Sequence, residues 1–276
     1  MQLLNSSMKK IVLCCALFFI SYLHAADEVI TPELLKLLEY FHLIHDGSLT
    51  SITDATQKAW LRPKGKERWE TVDPYTFADR VAVMDYYTKT GKFDAILPTK
   101  KSYDTAIICG ATVGRMQMRI SYLEKLIQEG VEVKKVALLT GMRILDSAVE
   151  QIPAGCTTEG EAMLALWKKS PLSSKIAWSH LEHPLIQEKA GSMRRPWAHD
   201  NFTAWVKGES PSTIVVIVSN QPYCCFFDAV AQAAFPQGFP FEVVGDAADL
   251  TALKTDILLD NLARWIYMSQ NVNITH

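Results

Sequence analysis

The chain has 276 residues, of which 49% are hydrophobic and 21% charged, with a formal net charge of −2 at pH 7. That composition lies in the ordinary globular range and holds enough apolar material for one large core. The near-neutral balance argues against a generic nucleic-acid binder, which carries a basic excess, and gives no reason to expect a strongly acidic partner.

Lys9 and Lys10 precede an uninterrupted apolar run from Ile11 to Ile20, after which Ser21 to Asp27 turns small and polar. A basic start, a short apolar stretch and a small residue before polar sequence are the parts of a secretory signal peptide. Cleavage is placed after Ala25, with Ala26 the other choice, and Met8 offers a compact alternative start. The competing reading is an uncleaved anchor, but the run is shorter than the roughly 20 residues that cross a bilayer as a helix. The expected product is an exported protein, periplasmic or secreted, with no stable transmembrane span. Removing Lys9 and Lys10 leaves 26 basic against 30 acidic residues, a mature charge of −4.

Residues 26–103 read as a helical extension packed on the core. Thr31 caps a helix opened by Pro32 and carrying Leu34, Leu35, Leu37, Leu38 and Phe41. Arg62 to Arg68 is a basic loop, read as a solvated surface or an anion or membrane contact. Asp73-Pro74 then opens a second helical region through Val81, Met84 and Tyr87.

From residue 104 to 276 short apolar runs alternate with helix-length stretches. The runs are Thr105–Cys109, Val136–Thr140, Ile176–Ser179, Thr213–Val218 and Phe241–Val244, as continuous as strands buried on both faces. Helices are predicted at 114–129, 159–169, 199–207, 223–234 and 251–269, with Asp260 and Arg264 paired on the wet face of the last. Repeated βα units imply right-handed crossovers and helices on both sides of the sheet. The expected fold is α/β: a three-layer αβα Rossmann-like sandwich with a mostly parallel sheet and an N-terminal helical extension.

In such sheets ligands bind beyond the carboxyl ends of the strands. After the first run, Gly110 and Gly114 flank a strand-to-helix turn, and Arg115 and Arg119 follow in the first turns of the helix. The macrodipole makes cations there unfavourable by roughly 0.3–1 kcal/mol, so something negative is expected nearby, either an anionic ligand or an internal acid. The glycine spacing matches neither G-x-G-x-x-G nor a Walker loop, which disfavours standard nucleotide binding. Gly141 ends the second run beside Arg143. Thr158 and Glu161 fit a capping box, leaving Glu159 as an acid, a base or a partner for Arg115. Asp200 is either a second proton-transfer group or a helix cap. Asn220 and Gln221 end the fourth run as ligand hydrogen-bonding groups or turn residues. His180 and His183 lack an evident third ligand, so no metal is expected. No G-x-S-x-G elbow is present. Cys109, Cys156, Cys224 and Cys225 remain after cleavage, as buried thiols or with a Cys109 disulfide to the adjacent pair.

The segments Asp104 to Gly110 with Arg115, Val136 to Gly141, Thr158 to Met163 and Val216 to Tyr223 occur in an order that resembles the bacterial domain-of-unknown-function family typified by SanA, ElyC and YdcF. The resemblance spans roughly 104–245 and implies a Rossmann-like sandwich, a place in the cell envelope and, by analogy, S-adenosylmethionine as a ligand. Typical members carry a histidine and an arginine where this chain has Asn220-Gln221-Pro222-Tyr223, which marks a divergent branch. Three functions follow in order. The first is an envelope protein that binds or acts on an anionic, phosphorylated small molecule or envelope precursor, with Gly110, Gly114, Arg115, Arg119, Gly141, Asn220 and Gln221 at the ligand. Glu159 and Asp200 would then move the proton. The second is a non-catalytic periplasmic protein that meets a protein partner through residues 26–103, and the third is S-adenosylmethionine binding.

Overall fold

The computed structural model describes residues 29–63, 66, 70, 72–188, 191–250 and 253–275. The leader read over 1–25, with its cleavage position, and Lys64, Gly65, Glu67 and Arg68 of the basic loop lie outside the described residues.

Among the described residues the first helices given bounds are α1 (Pro32–Tyr40), α2 (Leu49–Trp60) and α3 (Phe77–Lys89). Thr31 caps α1 with its hydroxyl on the Leu34 amide, and Pro32 stands at the first helical position. In α3 the cap is Thr76, in a full capping box with Asp79. That start is later than the one read at Asp73-Pro74, because the Asp73 carboxylate instead accepts from the amides of Tyr75 and Thr255.

The alternating segment follows as β1 (Ser102–Cys109), α4 (Val113–Gln128), β2 (Glu132–Gly141), α5 (Glu159–Lys169) and β3 (Ala177–His183). A two-residue hairpin, β4 (Ile186–Gln187) and β5 (Met193–Arg194), interrupts the rhythm before α6 (Ala198–Val206). The chain ends with β6 (Val215–Asn220), α7 (Cys224–Ala234), β7 (Phe241–Asp246) and α8 (Thr255–Thr275). The main sheet has five strands in the order β3-β2-β1-β6-β7, all parallel. Strand order reverses between β1 and β6, where Ile107 sits opposite Ile217.

Why the central runs form strands is visible in their burial. Ile107, Ala137, Ile217 and Val243 face one core with α6, α7, α8 and the opening helices, while Ile108, Leu138, Val218 and Val244 face the other with α4 and α5. Period-two alternation with both faces apolar leaves no solvated side for these residues, so the layers are helix, sheet, helix. β3 departs from the expectation of a fully buried strand: it is an edge, and Trp178 is 36% exposed. Its Ser179, His180, Glu182 and His183 suit an edge, where polar side chains also discourage pairing with another chain. The opposite edge, β7, is partly closed by an antiparallel bridge from Ile96 to Gly245.

The opening helices rest on α8. Tyr87 donates its hydroxyl to the Leu258 carbonyl at 2.8 Å, and Gln57 donates to the Ala263 carbonyl at 2.8 Å. Asp260 and Arg264 do pair, at 2.9 Å, but not on a wet face: Asp260 is buried and also accepts from the Arg62 amide at the end of α2. Among the described residues no helix is long and apolar enough to cross a membrane.

Candidate functional site

A cavity of about 820 Å³ opens at the carboxyl ends of β1 and β2. Gly110 to Thr112 and Gly141 to Arg143 come from the sheet edge, and Arg115 and Arg119 from α4. Tyr223, Phe226 and Phe227 enter from the start of α7, and Ser192 to Trp197 from the hairpin and the link to α6. Arg62 follows α2, while Asn261 and Arg264 belong to α8. The location is the crevice at the reversal of strand order, where open α/β sheets seat their ligands.

The wall is heavily cationic. Seven arginines line it (62, 115, 119, 143, 194, 195 and 264) against two carboxylates, Glu159 and Glu188. Among the described residues Arg143 pairs with Glu150 and Glu159, Arg194 with Asp200, and Arg264 with Asp260.

Arg119 is the most unusual of them. Only 3% exposed, it donates from Nε to Asn220 Oδ1 at 3.2 Å and from Nη1 to the Cys109 carbonyl at 2.8 Å. Its guanidinium lies 4.9 Å from the centre of the Phe227 ring, and one turn earlier Arg115 lies 4.4 Å from that of Tyr223. Arg119 forms no ion pair among the described residues, and burial pulls its pKa down. A buried charge is normally paired, because leaving water is costly for it. The aromatic contacts and neutral acceptors offset only part of that cost.

Arg143 organises the neighbouring wall. Its guanidinium grips both Glu150 oxygens, donates to Glu159 Oε2 at 2.9 Å and reaches the Ala111 carbonyl at 2.9 Å. Glu150 Oε2 also accepts from the Val113 amide at 2.8 Å. Glu150, from the β2–α5 connection, thus sets a carboxylate at the start of α4 that the sequence reading did not single out. Burial works against the Glu150 charge, but the hydrogen bonds and attraction of Arg143 outweigh it and hold the carboxyl below its ordinary value. At Glu159 burial prevails over Arg143, and the carboxyl is raised.

Glu159 thus lines the cavity as expected, but it pairs with Arg143 and not Arg115. Gly110 has a different reason from close approach to a ligand. A Cβ there would lie 1.9 Å from Glu159 Oε1, so the missing side chain is the space the glutamate occupies. At Gly141 a Cβ would meet Pro196 at 2.7 Å, so that glycine admits the link to α6. Gly114 is outside the cavity wall, with open space where a side chain would point.

Asn220 and Gln221 are also outside the wall, because their amides are committed inward. Asn220 holds Arg119 and donates to the Gln221 carbonyl, while Gln221 donates to the Asp94 carbonyl at 2.9 Å. Asp200 is outside the cavity wall and caps α6: it takes both Arg194 Nη atoms, at 2.7 and 2.9 Å, and the Trp197 amide. Arg62, Arg194, Arg195 and Arg264 complete the wall without having been read as site residues. Arg194-Arg195 before a proline was a local signal, and Arg62 opens the basic loop read as a solvated surface or an anion or membrane contact.

Among the described residues no disulfide forms, and burial pushes the Cys109 and Cys224 thiols up to about 12, far from nucleophilic character at neutral pH. His180 Nε2 meets Thr140 Oγ1 at 2.8 Å, and burial lowers its pKa. No cluster of three potential metal ligands occurs among the described residues. No family model, curated protein or solved structure matches this chain.

Proposed function

We propose that this is an exported envelope protein that binds, and presents for reaction, a phosphorylated small molecule in the arginine-lined cavity. The observation that carries the reading is Arg119, a buried guanidinium in the cavity wall with neutral hydrogen-bond partners and no ion pair among the described residues. A phosphate is the complementary group: it offers several acceptor oxygens and up to two negative charges, and arginine forks match its geometry. The cavity volume of about 820 Å³ suits a molecule of drug or sugar-phosphate size. Resemblance to the SanA, ElyC and YdcF family supports the envelope location.

Glu159 is the group positioned for proton transfer, since burial favours its protonated form at the cavity wall. Replacement by glutamine separates the two roles, leaving ligand binding in place while removing turnover. A second reading, a non-catalytic partner of another envelope protein, draws on the exposed Val72 (88%) and Phe77 (82%) beside α3.

Thermal unfolding of the protein lacking residues 1–25 against inorganic phosphate, sugar phosphates, nucleotides, polyprenyl phosphates and S-adenosylmethionine decides between them. A ligand at 100 times its Kd stabilises the native state by about 2.7 kcal/mol. The expected result is a rise in Tm with phosphorylated compounds that Arg115→Ala weakens. No rise with any of them overturns the reading in favour of the partner protein, and a rise with S-adenosylmethionine alone would assign the cavity to that ligand.

A further inference from the structure

A second cavity, of about 400 Å³, lies against the end of α2, described residues between Leu61 and Tyr75, and the start of α8. Its character differs from that of the first. Trp60, Leu61, Val72, Pro74, Tyr75 and Ile257 supply an apolar side, with Trp60 buried and Val72 exposed at 88%, and Arg62, Lys66, Glu70, Asp256 and Asp260 a charged one of mixed sign. The two cavities have Arg62 in common, and Asp260 joins them: it lines the second, accepts from the Arg62 amide at 3.1 Å and pairs with Arg264, which lines the first. A cationic chamber therefore adjoins one with a substantial apolar side, and Arg62 belongs to both.

We infer that the ligand is an amphiphilic phosphate ester, its phosphate held among the arginines and its apolar chain or ring seated between Trp60, Tyr75 and Ile257. The inference rests on the phosphate reading above and adds the chemistry of the esterified group. Apolar area removed from water beside a fixed anion adds affinity in proportion to the area buried, so the alcohol portion and not the phosphate alone sets selectivity. Arg62 suits the junction because its aliphatic stem covers apolar surface while its head meets oxygen.

Titration calorimetry with inorganic phosphate, octyl phosphate and phenyl phosphate tests this on the protein without residues 1–25. At least one ester is expected to bind about tenfold or more tighter than inorganic phosphate, and which one does so tells a chain from a ring. Tyr75→Ala and the exposed-site variant Val72→Ser should shrink that advantage severalfold while leaving the affinity for inorganic phosphate unchanged. Esters that bind no tighter than inorganic phosphate overturn the inference and leave the phosphate reading standing. So does an advantage that survives in both variants, because the apolar group then sits elsewhere. Binding of none of the three probes overturns the phosphate reading, and this inference with it.

Discussion

Arg143 shows how two chemically similar carboxylates acquire opposite responses to pH. Glu150 ionises more readily in the folded state than in the unfolded chain, because Arg143 and the Val113 amide outweigh its burial. Its contribution to stability is fully present above the unfolded-state value near 4.3 and is lost as pH falls through the lower folded value. Glu159 is raised, so its contribution runs the other way: present at low pH and lost as pH rises through the folded value. Glu150→Gln is expected to cost about 1–3 kcal/mol at pH 7, with the difference from wild type closing below pH 4. Glu159→Gln should cost distinctly less at pH 7. Urea midpoints at pH 7 and pH 3 check both, and equal losses at neutral pH would refute the assignment. Gly110 and Gly114 diverge in the same way. Gly110→Ala must displace the Glu159 carboxylate and should destabilise the protein, whereas Gly114→Ala places a methyl in open space within α4 and should stabilise it by about 0.5–1 kcal/mol. Thermal unfolding of the two variants should move in opposite directions.

Local chemistry governs the elements where caps and alternation are complete. The α5 capping box, with Glu161 accepting from the Thr158 amide and Thr158 Oγ1 from the Glu161 amide, closes the helix start read from four residues of sequence. Thr158→Ala should therefore cost about 1 kcal/mol, measurable as a lower urea midpoint. At that helix the boundaries read from sequence and those observed coincide, 159–169. β3 was legible as a strand but not as an edge, since its position depends on which strands pair. The hairpin β4–β5 was not legible at all, because two residues on each side carry no period. Its contribution to the cavity, Arg194, stands in the sequence only as one of two adjacent arginines before Pro196.

Across the whole molecule, a chain of nearly balanced charge gathers seven arginines at one end of its sheet. Long-range attraction brings anions to such a site and salt screens it, with a Debye length of about 10 Å at 0.1 M and about 3 Å at 1 M. Phosphate affinity is expected to fall severalfold between 0.05 and 0.5 M sodium chloride, which calorimetry at matched pH would register. An affinity independent of salt would mean that the wall arginines are neutralised by their own carboxylates and exert no field on the ligand. The opening helices reach the same region only by packing on α8, which is how Arg62 comes to share two cavities with residues more than a hundred positions away.

Sequence by itself determined the βα alternation, both buried faces of the central strands and the caps of α1 and α5, because those features depend on neighbours within a turn or on a period of two. It also pointed to Arg115 and Arg119, in the first turns of the helix after β1, and to Glu159, the acid left over beside the α5 capping box. Tertiary structure alone decided what each of these meets: Arg143 rather than Arg115 for Glu159, Asn220 as the holder of Arg119, and Arg62 and Arg264 in the same wall. Partners of that kind are chosen by the order of strands and the packing of helices, and a charge in the sequence carries no mark of which distant charge it will face.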